Sequence, residues 1–165
     1  MQPRVPPKET MLKVKKLHQD AKCPTVGHIG EDLAYDLYCA EEVRILPWSV
    51  TRTGTGVAAV FDGPQIVTYH SPAPQNVVKW GLLIQDRSSV ANISLFTIGG
   101  VVDSGYRGEI MVMLANCTDE PAYLPAGSKI AQMIPTMVLT HCGVVEVAEL
   151  SESSRKTGGF GSTGR

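Results

Sequence analysis

One aspartate stands where a water-activating carboxylate would be expected. Asp103 follows the apolar pair Val101–Val102 and precedes a Ser-Gly turn, so we expect it half buried at the end of a strand. A carboxylate in that position can orient and deprotonate a water molecule. An aspartate that only opens the turn fits the same pattern, and Tyr106 fits an ordinary strand aromatic. The residues alone leave these alternatives open.

Further polar groups lie at the ends of apolar runs or within them. Arg87, Ser88 and Ser89 follow an apolar strand, where they could bind an anion or begin a short helix. Asp36 is the one carboxylate of the apolar run 34–38, which indicates either an exposed edge or a nearby cation. Gln132 falls at an inward position of a strand, so its amide needs partners, and a ligand is one possible partner.

The C-terminal residues 155–164 combine glycines, hydroxyls and Arg155. Backbone N–H groups of such a segment can turn toward phosphate oxygens, although Lys156 precedes the glycines and the segment is not a Walker A loop. Phe160 has no core to join, which favours stacking on a planar ligand. The alternative is a terminus without a ligand.

The elements that position these residues are predicted to be short strands. Apolar or alternating runs recur between Gly, Pro, Asp and Asn breaks, at 12–17, 34–40, 43–48, 56–61, 77–84, 93–98, 109–115, 129–139 and 144–150. This spacing is typical of an all-β sandwich or jelly roll, with at most one short helix at 88–92. Residues 62–76 are expected to form a surface loop or an added hairpin.

Composition limits the function classes. A chain of 165 residues is one domain's worth, and 15 Lys and Arg against 16 Asp and Glu exclude nucleic-acid binding by bulk charge. No run is apolar enough to be a signal peptide or to cross a membrane, so we expect a cytoplasmic protein. The 4 cysteines form no C-x-x-C pair and are expected to be reduced.

Five segments in this order resemble the motifs of the trimeric dUTPase family. They are Ala-Tyr-Asp-Leu from 34, Arg-Ser-Ser-Val-Ala from 87, Gly-Val-Val-Asp-Ser-Gly-Tyr-Arg-Gly-Glu-Ile from 100, Gly-Ser-Lys-Ile-Ala-Gln from 127, and Arg-Lys-Thr-Gly-Gly-Phe-Gly-Ser-Thr-Gly from 155. The resemblance implies a jelly-roll-like β-clip domain at 12–150, after a Pro-rich extension at 1–11. It implies an insertion at 62–76 and a mobile phosphate-binding arm at 151–165.

The resemblance also implies a reaction: hydrolysis of dUTP to dUMP and pyrophosphate with Mg²⁺, in a homotrimer whose sites are shared between subunits. Asp103 would activate the attacking water, Tyr106 would pack under the deoxyribose, and Asp36 would support the metal through water. The other implied substrate contacts are Arg87, Ser88, Ser89 and Gln132 on phosphates, the backbone of Thr97, Ile98, Gly99 and Gly100 on uracil, and Arg155, Phe160, Gly161, Ser162 and Thr163 in the arm.

The chain departs from the family pattern at several positions. Asp86 replaces a proline before Arg87, and such a carboxylate would weaken triphosphate binding unless it points away. Ala34 and Ser89 replace glycines, and residues 128–129 replace a common Asp-Arg pair.

Two alternative functions are compatible with the same fold family. A dCTP deaminase would need a catalytic glutamate in the strand after the third motif, and residues 110–115 contain none. A non-catalytic nucleotide-binding regulator could use 62–76 as its interface, but it would have no use for Asp103.

Overall fold

The computed structural model describes residues 11–63, 67–68, 76–140 and 144–153, and strands dominate these residues. In chain order the elements are β1 (Met11–Lys16), β2 (Tyr35–Tyr38), β3 (Val43–Ile45), β4 (Val50–Gly54), β5 (Val57–Asp62), β6 (Val67–Thr68), β7 (Asn76–Gln85), α1 (Ser88–Ala91), β8 (Leu95–Ile98), β9 (Val101–Val102), β10 (Met111–Asn116), β11 (Ala122–Leu124) and β12 (Lys129–Thr140). The predicted all-β class with at most one short helix is confirmed for the described residues.

The strands form small antiparallel sheets. The largest has the order β2-β12-β7-β6, with β9 also paired to β7, and a three-stranded sheet has the order β4-β10-β8. Two further pairs, β1 with β5 and β3 with β11, complete the arrangement. Every strand pairing is antiparallel, as expected for strands joined by short turns.

The core lies between the inward faces of these sheets. Leu37, Ile45, Leu114, Ile130 and Met133 have at most 1% of their surface exposed. They come from β2, β3, β10 and β12, and exposure alternates along β10 as the period of a half-buried strand requires. Because the core buries one face of each of these strands, the opposite face is the one available to a functional site.

One predicted strand is wrong. Residues 144–150 alternate in hydrophobicity but form no strand, and Val144 and Leu150 are 100% and 87% exposed. None of the strands in the described part of the chain pairs with them. Conversely, β4 was not predicted, because its sequence Val-Thr-Arg-Thr-Gly has only one large apolar residue.

Two local predictions are resolved by the structure. Within 62–76, β6 pairs with the start of β7, as in a hairpin, while its being an insertion stays a prediction; residues 64–66 and 69–75 lie outside the described part. At α1 the N-cap position belongs to Arg87, and no side chain caps the helix. None of the described helices is long and apolar enough to cross a membrane.

β7 lies next to both the second and the third motif. It pairs with β12 along one edge and with β9 along the other, and Arg87 follows two residues after its end. The segment from Thr97 to Val102 runs back beside β7, so the second and third motifs share one support.

Candidate active site

The third motif forms a pocket of about 170 Å³. Its lining includes Gly99, Val102, Asp103 and Tyr106. Asp103 is exposed in the chain, where the sequence predicted a half-buried carboxylate, because it lies just beyond the end of β9. The Tyr106 hydroxyl donates to the Glu109 carbonyl oxygen at 2.8 Å, and the Tyr106 N–H donates to the Asp103 carbonyl oxygen at 3.0 Å. These two bonds hold Tyr106 to the backbone of the turn that begins at Asp103.

Arg107 and Glu109 brace the turn that carries Asp103. Arg107 Nη1 donates to the carbonyl oxygens of Ser104 at 2.9 Å and Tyr106 at 2.7 Å. Glu109 Oε1 accepts the Gly56 N–H at 2.7 Å, which ties the end of the motif to the start of β5. Neither residue is marked as functional by its type or position in the sequence, although both lie inside the third motif.

A second pocket, of about 560 Å³, collects residues of the first, second and fourth motifs. Asp36, Arg87, Ser88, Lys129 and Gln132 all line it. The pairing of β12 with both β2 and β7 brings them together, since Gln132 lies opposite Asp36 on one side and Gln85 on the other. Ser89 joins this group by accepting from Arg87 Nη1 at 3.0 Å.

Asp36 is the electrostatic centre of this second pocket. Arg87 Nε lies 2.7 Å from Asp36 Oδ1, and Lys129 Nζ lies 2.7 Å from Oδ2. The hydrogen bond to Asp36, aided by its charge, raises the pKa of Lys129 above its ordinary value of 10.5. Two cationic side chains of the chain itself therefore pair with this aspartate, and its predicted support of a metal stays a prediction. Lys129 was noted in the sequence only as a departure.

Asp86 points away from Arg87. Its carboxylate accepts hydrogen bonds from both the N–H and the hydroxyl of Thr97, the latter at 2.7 Å. The Asp86 carbonyl oxygen accepts from Gln132 Nε2 at 2.6 Å, so the Gln132 amide has a protein partner. The Thr97 N–H therefore already has a protein acceptor, and the uracil contacts predicted for the backbone of residues 97–100 stay predictions.

Comparison with known proteins agrees with this arrangement. A family model described as dUTPase matches residues 21–164. The chain belongs to the dUTPase family. It is 35% identical over 156 residues to the deoxyuridine 5'-triphosphate nucleotidohydrolase of Picosynechococcus sp., with 93% of this chain and 98% of that protein covered. The corresponding protein of Clostridioides difficile is 37% identical over 153 residues, with 93% and 97% covered.

Solved dUTPases share the fold. A dUTPase of Staphylococcus bacteriophage 80alpha, solved with dUpNHpp, superposes with a TM-score of 0.75 at 23% identity, covering 94% of this chain and 99% of that one. A phage phi11 dUTPase described with a structural Mg(II) ion superposes with a TM-score of 0.66 at 22% identity, covering 84% and 97%. The expected jelly-roll-like dUTPase fold is confirmed by these likenesses.

In this dUTPase chain the two pockets are separate and share no lining residue. Val102 lies opposite Leu82 on β7, whereas Arg87 lies five positions beyond Leu82. Arg87 lies beyond the end of β7, which is at Gln85. The described residues therefore hold Asp103 and Arg87 in separate pockets.

The fifth motif lies outside the described residues, which end at Ser153. The predicted contacts of Arg155, Phe160, Gly161, Ser162 and Thr163 therefore stay predictions, as does the mobile arm. The division of the chain at 11, 62–76 and 151 likewise stays a prediction.

Proposed function

We propose that this chain hydrolyses dUTP to dUMP and pyrophosphate, with Asp103 activating the water that attacks the α-phosphorus. Its membership of the dUTPase family indicates a dUTP diphosphatase. The observation that carries the proposed mechanism is the pocket in which Asp103, Tyr106 and the Gly99 hairpin lie together. It combines a carboxylate, a ring that can pack under a sugar and a backbone that can read a base.

The phosphates bind in the second pocket under this proposal. Arg87 offers a guanidinium, and Ser88 a hydroxyl, at the beginning of α1. Gln132 holds the backbone just before Arg87 and so also orients the guanidinium. In the arm, Arg155, Ser162 and Thr163 are proposed to add phosphate contacts and Phe160 to stack on uracil, which would exclude water when the arm closes.

The separate pockets of Asp103 and Arg87, which we call the two half-sites, support assembly from several copies. Under this proposal Asp103 of one copy acts on a triphosphate held by Arg87 of another, in a homotrimer. The outer face of the β4-β10-β8 sheet supports it as well. Val50, Phe96, Ile98 and Met113 are between 36% and 48% exposed on that face. Arg52 lies on the same face, opposite Met113, so the face is largely but not wholly apolar. Exposed apolar side chains grouped on one sheet face are typical of a contact between copies.

The implied Mg²⁺ fits the second pocket through water. The described residues contain no cluster of three or more His, Cys, Asp or Glu side chains that could enclose a metal. Mg²⁺ needs no such cluster, because it keeps its waters and binds largely through substrate phosphates. Both Asp36 oxygens are already paired with cations, but each can accept a further hydrogen bond from a metal-bound water. Mg²⁺ would neutralise phosphate charge, and Asp36 would orient its waters.

The alternatives receive less support. β10, which follows the third motif, reads Met-Val-Met-Leu-Ala-Asn and contains no glutamate for a deaminase. A regulator that only binds nucleotide would gain nothing from the bracing of Asp103 by Arg107 and Glu109.

A substrate panel tests the proposal. Pyrophosphate release with Mg²⁺ should be strong for dUTP and weak for dCTP, dTTP and UTP. Asp103→Asn should abolish release while dUTP still binds, because only the water-activating group is lost. Ammonia release from dCTP, or undiminished turnover by the Asp103→Asn variant, would contradict the proposal.

A further inference from the structure

We propose that Asp86 is a positioning residue that sets nucleobase specificity by tethering the hairpin at 97–100 to the end of β7. The inference rests on the proposed function, since it concerns the base that this hairpin would read. It assigns a purpose to the residue that replaces the usual proline before Arg87.

The tether occupies the open edge of a sheet. β8 is the last strand of the β4-β10-β8 sheet, and Thr97 lies opposite Leu114 of β10. The Thr97 N–H points to the other side, where it would be an unpaired donor of an edge strand. The Asp86 carboxylate accepts that N–H and the Thr97 hydroxyl together. Two donors on one charged acceptor hold the beginning of the hairpin in a defined place.

Asp86 is itself held on its backbone side. Gln85, the last residue of β7, is in register with Gln132 of β12, and Gln132 Nε2 donates to the Asp86 carbonyl oxygen at 2.6 Å. One residue thus joins the phosphate pocket, through Gln132, to the base-reading hairpin, through Thr97. A proline has no side-chain acceptor, so this link depends on the aspartate.

The two ends of the hairpin depend on different contacts. Gly100 is fixed by its carbonyl oxygen, which accepts the Ile84 N–H at 2.7 Å, and Val102 is in register with Leu82. Asp103 follows directly, so its position is supported by β7 and not by Asp86. Loss of the tether should therefore loosen residues 97–99 while Asp103 stays in place. A loosened backbone reader loses substrate affinity and discrimination before it loses the chemical step.

Three variants separate the effect of the hydrogen bonds to Thr97 from the effect of the Asp86 charge, and a fourth is the control. Asp86→Ala removes both hydrogen bonds to Thr97, whereas Asp86→Asn keeps an acceptor oxygen without the charge. Thr97→Val has the same shape and removes only the hydroxyl donor, which keeps the test informative if Asp86→Ala folds poorly. Asp119→Ala, in the exposed turn after β10, is the matched control.

Steady-state kinetics with dUTP and dCTP should distinguish these variants. For Asp86→Ala we expect KM for dUTP to rise and the preference for dUTP over dCTP to fall by about tenfold, or about 1.4 kcal/mol, with kcat within about threefold. Thr97→Val should show a smaller change in the same direction, and Asp86→Asn should restore most of the preference. Unchanged preference in both Asp86→Ala and Thr97→Val would overturn the proposal, as would equal effects of Asp86→Ala and Asp86→Asn.

Amide hydrogen exchange provides a readout that does not depend on turnover. The Thr97 amide should exchange faster in Asp86→Ala than in the wild type or Asp119→Ala, because its acceptor is lost. Unchanged exchange would show that no tether exists. A wild type that did not hydrolyse dUTP would contradict the proposed function. The exchange rate of the Thr97 amide would still show whether Asp86 holds the hairpin.

Discussion

Arg87 donates from Nε to Asp36 Oδ1 at 2.7 Å, so the guanidinium proposed to bind phosphate is held by the carboxylate proposed to support the metal. Lys129 occupies the other Asp36 oxygen. Arg87 and Lys129 outnumber the Asp36 carboxylate in this cluster, although Asp32 also lines the pocket and balances its formal charge. The attraction for an incoming triphosphate therefore comes from the two cations locally and not from the net charge of the pocket. The Asp36 carboxylate also keeps the two cations from repelling each other before substrate arrives.

Asp36→Asn should therefore change the metal requirement. The neutral amide attracts metal-bound water less strongly, so the Mg²⁺ concentration for half-maximal dUTP hydrolysis should rise by about tenfold. Pyrophosphate should bind more tightly without Mg²⁺, because Arg87 and Lys129 are no longer neutralised. Magnesium titrations of activity and calorimetric titration with pyrophosphate measure the two effects, with Asp119→Asn as control. An unchanged Mg²⁺ dependence would contradict the role proposed for Asp36.

The variant Lys129→Met tests whether the ion pair between Lys129 and Asp36 stabilises the fold in a pH-dependent way. The Asp36 contact raises the pKa of Lys129, so the pair stabilises the folded chain fully below pH 10.5 and loses its contribution as pH rises through the folded value. The midpoint of thermal unfolding should be higher for the wild type than for Lys129→Met near neutral pH. That difference should shrink above about pH 10.5. A difference that stayed constant through that range would rule out the ion pair as its cause.

Gly100→Ala should disrupt the base-reading hairpin. A Cβ at Gly100 would collide with the carbonyl oxygen of Ile84, a backbone atom that cannot swing away. We expect a loss of about 1–3 kcal/mol in the free energy of unfolding, as for other overpacked sites, and a fall in kcat/KM for dUTP. Denaturant unfolding and kinetics measure both. Gly105→Ala is the matched stability control, since nothing lies within 4 Å of its added Cβ; equal losses in both variants would count against the collision.

The sequence predicts strands well where apolar residues mark a buried face, as along β10 and β12. It predicts strands with few buried apolar side chains less well. β4 includes Arg52 and two threonines, so its place in a sheet depends on its partner β10. Residues 144–150 show the opposite error: their alternating pattern predicts a strand, but none forms there. Alternation of apolar and polar residues does not by itself provide a strand to pair with.

The predicted site has a similar limit. The motifs identify Asp36, Arg87, Asp103 and Gln132 by residue type and order, yet their contacts depend on strand register. Asp86 reaches Thr97 only because the hairpin runs back beside β7. From the sequence, its carboxylate is expected to weaken phosphate binding unless it points away. In the structure it accepts hydrogen bonds from Thr97 at the start of the hairpin. Long-range antiparallel pairings of this kind are not encoded in any short motif.

Mixing two inactive variants tests whether a site is shared between copies. Asp103→Asn damages the first pocket only, and Arg87→Ala damages the second only. If each working site takes Asp103 from one copy and Arg87 from another, co-refolded equal mixtures should recover about a quarter of wild-type activity, since each half is intact in half of the copies. Asp103→Asn mixed with Asp103→Ala is the matched control. Both substitutions remove the same carboxylate, so every site would lack it and no activity should return. Absence of recovery in the first mixture, with both variants forming mixed oligomers, would mean that the two half-sites do not combine across copies.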